Sequence, residues 1–374
     1  MSKSVAAVMA EYQATLDSIF GKGVCVVKQN QPRSNNFVGA LANDQFAKFA
    51  VAYKQRLERL HTAYESGSKD RNTIIRLAQD VAYARPEGPY GELAAIDFLN
   101  RVHLHYSSSP VETEIDLSTS ETFVSILNPK AVCNVDGFIS DLNLYFEVKS
   151  LMDISNNMLD DILRKVREKY NAIVSPDRSS VFDYKTLAHV KVAVQKELEN
   201  ALANGATYLE SQIVSGLSFR IGWPPAVVVT STTVDPFEMA EHRYSGVFDW
   251  SYKFLHSKPF LLVITVPPWS NPYHSSFLDM NMVFYRSLCR RVFCQYKNCD
   301  FNSEFNIQMF ELSKAIGGIL FLEIDDNLSS EPKKHIESFL YLNPNATHQL
   351  DGRFRHFITY AQKGFLDDFR HDNY

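Results

Sequence analysis

A short alternating stretch, LYFEVKS (Leu144–Ser150), constrains the fold more than any other part of this sequence. Side chains of a strand alternate between the two faces of a sheet, so one face of this strand is apolar and carries Leu144, Phe146 and Val148. The opposite face carries Glu147 and Lys149. Upstream, the apolar run VCNVD ends at Asp136, and a polar loop containing SDLN separates the two runs. The pattern predicts a β-hairpin that places acids and an amine together.

The acidic and basic residues on this hairpin are of the types that bind a divalent metal ion and a phosphate. A hairpin would bring Asp136 and Glu147 within roughly 5 to 8 Å of each other, and two carboxylates that close raise each other's pKa unless a cation lies between them. Mg²⁺ prefers oxygen ligands and binds through one or two carboxylates with water and phosphate, and the Val148 carbonyl is a further candidate ligand. Lys149 could then hold a water and offset charge on a phosphate. The alternative is a cross-strand ion pair on a solvated face.

The remaining sequence predicts an α/β fold. Residues 1 to about 80 have apolar positions at helical spacing, and residues 111 to 149 are rich in short strands. Apolar runs typical of buried strands follow, namely AVVVTST, PFLLVIT and GGILFLEID. We therefore expect a mixed β-sheet flanked by helices.

Asp136 followed by Glu147-Val148-Lys149 resembles the PD-(D/E)xK motif of restriction-endonuclease-like nucleases. The order of elements is also similar: a helix, a strand-rich meander with the acid, the strand with the ExK tripeptide, and a basic helix. The resemblance covers about residues 85–235, and Val135 stands where the family often has proline. The predicted organisation is therefore a helical N-terminal region at 1–80, a nuclease core at 81–240, and an α/β C-terminal extension at 241–374 packed on that core.

The resemblance implies a Mg²⁺-dependent endodeoxyribonuclease in which Mn²⁺ can substitute for Mg²⁺. Asp136, Glu147 and Val148 would bind the metal, and Lys149 would position or activate the water. Glu92 would complete the site, because it shares a helix face with apolar residues and is expected to point toward the sheet. The alternative for Glu92 is an interaction with the dipole in the first turn of its helix.

Arg164, Lys165 and Arg167 lie on the predicted helix after the motif, where they could contact phosphates of DNA. The alternative is an ordinary solvated helix face. A role in restriction or anti-phage defence, as a homodimer or with a partner subunit, is a family-level expectation. Two other functions stay open: a non-cleaving nucleic-acid-binding or scaffold subunit with the same fold, and a nuclease that acts on RNA.

Composition, charge and the motifs that the sequence lacks argue against several other functional classes. The chain is 45% hydrophobic and 22% charged, with a formal net charge of -5, which argues against coating nucleic acid by bulk charge. GxSxG, P-loop and GxGxxG motifs are missing from the sequence. Five sparse cysteines, no secretory signal and no long apolar run predict a cytoplasmic protein that does not enter a membrane.

Three weaker candidates complete the sequence-based list. A metal site is conceivable at regularly spaced cysteines and a histidine, namely Cys289, Cys294, Cys299 and His274, but buried apolar roles suit these cysteines better. His103 could face the site, although a hydrogen-bonded core histidine is the simpler interpretation. Glu114 is a candidate for an additional acid at the metal site.

Overall fold

In the computed structural model, seven strands of the described residues form the main sheet, in the order β1-β2-β3-β7-β10-β11-β12. The strands are β1 (Glu112–Asp116), β2 (Asn134–Ile139), β3 (Leu144–Ser150), β7 (Phe260–Val266), β10 (Gly318–Ile324), β11 (Ile336–Leu342) and β12 (Phe365–Asp367). The neighbours β3, β7 and β10 are parallel, whereas β1-β2-β3 and β10-β11 are antiparallel. The α/β prediction of a mixed sheet flanked by helices is therefore confirmed.

The structure describes the following residues: 3–27, 35–42, 47–83, 86–106, 109–118, 120–123, 127, 133–151, 154–178, 184–223, 235–269, 278–294, 300–302, 307–325 and 336–370. The chain divides into two compact units. The first unit is Met1–Met152, Val247–Ser276 and Val292–Tyr374, and the second is Asp153–Gly246 and Phe277–Arg291.

The first unit holds the main sheet and the N-terminal helices. These helices are α1 (Val5–Phe20), α2 (Asn36–Ala42), α3 (Ala47–Ala63), α4 (Lys69–Val81) and α5 (Glu87–Tyr106). Every residue of β7 and β10 is buried, as expected for apolar strands in the middle of a covered sheet. Helix α5 packs on β3 and β7, and its buried residues join the same hydrophobic core as Phe146 and Val148.

Short elements complete the first unit around this sheet. They are the 3₁₀ helix Ser140–Leu142, the paired strands β8 (Asp300–Asn302) and β9 (Ile307–Gln308), the helices Met309–Ser313 and Gly352–His356, and the π-helical turn Phe357–Ala361. The 3₁₀ helix Tyr244–Lys253 begins in the second unit and ends in the first.

The second unit has its own sheet and core. Its strands are β4 (Ile173–Arg178), β5 (Tyr208–Glu210) and β6 (Leu217–Gly222), in the antiparallel order β4-β6-β5. Buried leucines and valines of the helices Ile154–Tyr170 and Tyr184–Ala203 form a cluster with this sheet. The other helices are Pro236–Arg243 and Leu278–Cys294, and the last three residues of the latter belong to the first unit.

The structure divides the chain differently from the predicted boundaries at 80 and 240. Residues 81–240 supply β1, β2 and β3, while residues 241–374 supply β7, β10, β11 and β12 of the same sheet. The C-terminal segment is thus part of the core sheet, because β3 finds its parallel neighbour in β7. The predicted strand AVVVTST lies outside the described residues.

Among the described residues, no helix has the length and the apolar composition needed to cross a membrane.

Candidate functional site

The predicted hairpin is formed by β2 and β3, and its register sets the site. Gly137 pairs with Phe146, and the two strands are joined through the 3₁₀ helix and Asn143, which has a φ of 46°. Asparagine tolerates this left-handed conformation better than most residues. A side chain at Gly137 would overlap the Phe146 ring, so glycine is required there. Continuing the register by one position places Asp136 opposite Glu147.

Glu147 lies at the centre of the site and is completely buried. Its Oε1 atom accepts hydrogen bonds from Lys149 Nζ at 2.5 Å and from Lys253 Nζ at 2.8 Å. Its Oε2 atom is buried and has no hydrogen-bond partner among the described residues. The alternative of an ion pair on a solvated face is therefore wrong, because the carboxylate on this face is removed from water.

Asp136 is held next to Glu147 by the backbone of β3. One carboxylate oxygen of Asp136 accepts a hydrogen bond from the Val148 N–H at 2.6 Å. Burial and the nearby charge of Glu147 raise the pKa of Asp136 from 3.8 to about 6, against the opposing effects of Lys149, the Val148 hydrogen bond and Lys253. The two carboxylates therefore repel each other as the sequence predicted.

Glu92 lies on helix α5 within electrostatic reach of the hairpin. Burial and the charge of Asp136 raise the pKa of Glu92 to about 8, whereas Lys149 lowers it. Helix α5 begins at Glu87, so Glu92 lies in its second turn, where the dipole effect is weak. Glu92 is therefore close enough to Asp136 for their charges to interact, and it lies beyond the first turn of its helix.

Gly91 explains how α5 comes close enough to the sheet. A Cβ atom at Gly91 would overlap Ser150 Oγ and Thr265 Oγ1. These two hydroxyls hydrogen-bond each other at 2.9 Å, and Ser150 Oγ also donates to the Glu87 carbonyl at 2.6 Å. The glycine therefore allows the helix backbone to rest on β3 and β7, with Glu92 as the next residue.

Two residues of the site were missed by sequence reasoning. Lys253 and Trp250 both come from the 3₁₀ helix Tyr244–Lys253, which is far from the hairpin in sequence. The Lys149 ammonium lies 4.8 Å from the centre of the Trp250 ring, within the range of a cation–π contact. Neither residue belongs to a motif or a periodic pattern, so only the tertiary structure reveals them.

The carboxylates of half-buried Asp136 and buried Glu147 suit a hard divalent cation. Glu147 Oε2 is a buried acceptor with no partner among the described residues, and a cation would satisfy it. Among those residues, no group of three or more His, Cys, Asp or Glu side chains is arranged to hold a metal ion. A pair of carboxylates completed by water and phosphate is the arrangement that Mg²⁺ commonly uses. The Val148 carbonyl as a ligand stays a prediction.

The other predicted residues have separate surroundings. Arg164 and Lys165 are exposed on the helix Ile154–Tyr170 of the second unit, and the side chain of Arg167 lies outside the described residues. A role of this helix in binding nucleic acid stays a prediction.

The weaker candidates are not part of the site that the structure describes. The Glu114 carboxylate accepts hydrogen bonds from Thr73 Oγ1 at 3.1 Å and Arg76 at 2.5 Å. Cys289 is a buried thiol. The side chains of His103 and Cys294, together with Cys299 and His274, lie outside the described residues.

Asp136→Asn is expected to stabilise the cation-free protein at alkaline pH. Because the folded-state pKa of Asp136 is raised from 3.8 to about 6, ionising this carboxyl costs more free energy in the folded than in the unfolded protein. The stability that the neutral carboxyl contributes is therefore fully present below about pH 4 and is lost as the pH rises through 6. A rise of this size corresponds to about 2 to 3 kcal/mol, and asparagine keeps an acceptor for the Val148 N–H. Urea unfolding in EDTA, at about pH 4 and about pH 8, measures the difference. Equal stabilities of the two proteins at the higher pH would contradict the electrostatic account.

Comparisons of the chain with protein-family models, with curated proteins and with solved structures give no match.

Proposed function

We propose that this protein is a divalent-cation-dependent endonuclease that hydrolyses phosphodiester bonds in DNA. One observation carries the proposal: Glu147 is fully buried, accepts from two lysine ammonium groups at one oxygen, and has no partner for the other oxygen among the described residues. A buried carboxylate is costly, so a fold that retains one with Asp136 and Lys149 beside it has the features of a chemical site. Asp136 and Glu92 have raised pKa values, and carboxyl groups with perturbed pKa values cluster at functional sites.

Asp136 and Glu147 would hold the cation, as Mg²⁺ or Mn²⁺, with Val148 as a third candidate through its carbonyl. When bound, the cation supplies Lewis-acid polarisation of the phosphate and lowers the pKa of water. The chain removes the Glu147 carboxylate from water, and charges interact more strongly in such surroundings than in water. Glu147 is fully buried and Lys149 is 23% exposed, so the site opens to solvent on the lysine side.

Lys149 is the residue that acts on the reacting groups in this proposal. Its ammonium can orient the attacking water and offset the negative charge that develops on the phosphate. The oxygen of that water forms a bond to phosphorus while one phosphorus–oxygen ester bond breaks, which leaves a phosphate monoester and a hydroxyl. The Trp250 ring beside the ammonium restricts the positions that Lys149 can take.

Glu92 can exchange a proton near neutral pH, because burial and Asp136 raise its pKa to about 8. A nearby divalent cation would favour the ionised form of this carboxyl. Glu92 would therefore be a proton carrier in the cation-free site and an additional acid near the cation in the loaded site. Both roles depend on the close approach of α5 that Gly91 permits.

The substrate and the cellular setting rest on the motif resemblance more than on the site. The proposed fold is restriction-endonuclease-like, with the acid on β2 and the ExK residues on β3 of a mixed sheet. Exposed Arg164 and Lys165 would add phosphate contacts. A role in restriction or anti-phage defence, as a homodimer or with a partner subunit, is the proposed setting.

The function is tested by incubating the full chain with supercoiled plasmid, linear duplex DNA, single-stranded DNA and RNA, each with Mg²⁺, Mn²⁺ or EDTA. We expect nicking or linearisation of the plasmid with either metal and none in EDTA. Cleavage of RNA but not of DNA would identify RNA as the substrate. Binding of nucleic acid without cleavage under every condition would favour a non-cleaving subunit and overturn the proposal.

A further inference from the structure

Lys253 completes the site from outside the hairpin. It is the last residue of the 3₁₀ helix Tyr244–Lys253, and its ammonium donates to Glu147 Oε1 at 2.8 Å. The Lys253 side chain is 14% exposed, compared with 23% for Lys149. The Glu147 carboxylate is therefore held from two directions, by a lysine of its own strand and by a lysine of a separate element.

The two ammonium groups select one oxygen of the carboxylate. Both donate to Oε1, and neither is recorded on Oε2, which is left buried without a partner among the described residues. A carboxylate can rotate about the bond to its side-chain stem, but two donors on one oxygen oppose that rotation. The same pairing therefore determines which oxygen is available to a cation.

We propose that Lys253 is a positioning residue that holds Glu147 Oε1, so that Oε2 is oriented to ligate a divalent cation and Lys149 is free to act on the water. This inference rests on the proposed function, because it assigns a task to the same site. It adds a residue from an element that is distant in sequence.

The charge balance of the site supports this role. A buried carboxylate needs a permanent compensating charge. If Lys149 were the single partner of Glu147, its movement toward a substrate would leave the buried carboxylate uncompensated. Lys253 maintains that compensation while Lys149 moves. The segment Tyr244–Lys253 also places Trp250 against Lys149, so the same segment contacts Lys149 through Trp250 and Glu147 through Lys253.

A positioning role and a simple charge effect have opposite consequences for cation binding. If Lys253 acted only as a nearby positive charge, removing it would relieve a repulsion and tighten the binding of Mn²⁺. If Lys253 orients Glu147, removing it should weaken the binding by about 10-fold or more, as is usual for residues that orient metal ligands. The sign of the change therefore separates the two roles.

The experiment measures Mn²⁺ binding to the full chain by isothermal calorimetry for the wild type, Lys253→Met, Lys253→Arg and Lys258→Met. Lys258 is a matched control because its ammonium lies 2.8 Å from the Glu121 carboxylate, outside the site. We expect weaker binding for Lys253→Met, substantial recovery in Lys253→Arg, and wild-type binding for Lys258→Met. Unchanged or tighter binding by Lys253→Met would overturn the inference, as would a wild type that does not bind Mn²⁺.

Thermal unfolding in EDTA provides a second, activity-independent readout. Lys253→Met should lower the Tm because it leaves the buried carboxylate with one partner, and adding Glu147→Gln should restore much of the loss, since a neutral side chain needs no ammonium. A double variant as unstable as Lys253→Met would show that Lys253 acts elsewhere, and would overturn the inference. A wild type that binds Mn²⁺ but cleaves no substrate would refute the nuclease and leave the role of Lys253 in cation binding intact.

Discussion

Replacing Lys149 with methionine is expected to reduce phosphodiester cleavage by about 10²- to 10³-fold, the usual cost of removing one group that stabilises developing negative charge. Methionine keeps a flexible apolar stem of similar length but has no ammonium. Glu147 Oε1 would still accept from Lys253, so the buried carboxylate keeps a compensating charge in the variant. Asp136 and Glu147 are also unchanged, so Mn²⁺ binding should be retained. Initial rates of plasmid nicking and calorimetric Mn²⁺ binding, measured on the same preparation, separate the two effects.

Lys258→Met is the control for this substitution. The Lys258 ammonium pairs with Glu121 and lies 5.0 Å from the Tyr145 ring, on the strand that also carries Glu147. Its loss removes a lysine with similar contacts and should leave the cleavage rate near that of the wild type. Cleavage by Lys149→Met at a rate comparable to that of Lys258→Met would show that the chemistry does not depend on Lys149.

Gly91→Ala is expected to destabilise the protein and to reduce cleavage together. The new methyl group would overlap Ser150 Oγ and Thr265 Oγ1, and moving these hydroxyls breaks the hydrogen bonds that join β3, β7 and the start of α5. Overpacking of this kind costs about 1 to 3 kcal/mol. Any outward shift of α5 also moves Glu92 away from Asp136. Urea unfolding measures the stability change, and plasmid nicking measures the functional one.

Gly88→Ala supplies a matched comparison on the same helix. Apart from its chain neighbours, nothing lies within 4 Å of a Cβ atom at Gly88, so this substitution avoids the overlap found at Gly91 and should change the free energy of unfolding by less than about 1 kcal/mol. If the two alanine variants had the same stability and activity, α5 would not rest on the sheet at Gly91. The account of how Glu92 reaches the site would then be wrong.

The hairpin and the buried strands could be predicted because each is a local pattern. The alternation in LYFEVKS determines which residues share a face of the sheet. The apolar runs PFLLVIT and GGILFLEID are typical of strands that are buried on both faces. They are found as β3, β7 and β10, neighbours in one sheet. Local pattern also placed Asp136 beside Glu147, since a hairpin leaves few registers for so short a connection.

Long-range pairing could not be predicted in the same way. Alternation shows that Glu147 and Lys149 share a face but not whether that face meets water, and the structure buries Glu147 completely. Lys253 reaches that carboxylate across 106 positions of sequence and carries no local signal. The predicted boundary at 240 lies between strands β3 and β7, which are neighbours in one sheet, because parallel neighbours are joined by long crossover connections.

The central claim is that the buried Glu147 and the neighbouring, half-buried Asp136 form the cation site of a phosphodiesterase. The most direct measurement is Mn²⁺-dependent nicking of supercoiled plasmid by the full chain, with the wild type beside Glu147→Gln. Glutamine keeps the shape of the side chain but removes the charge that attracts a cation. We predict nicking by the wild type and none by the variant at the same temperature. Circular dichroism spectra should show that both proteins are folded. Nicking by Glu147→Gln at the wild-type rate would contradict the claim.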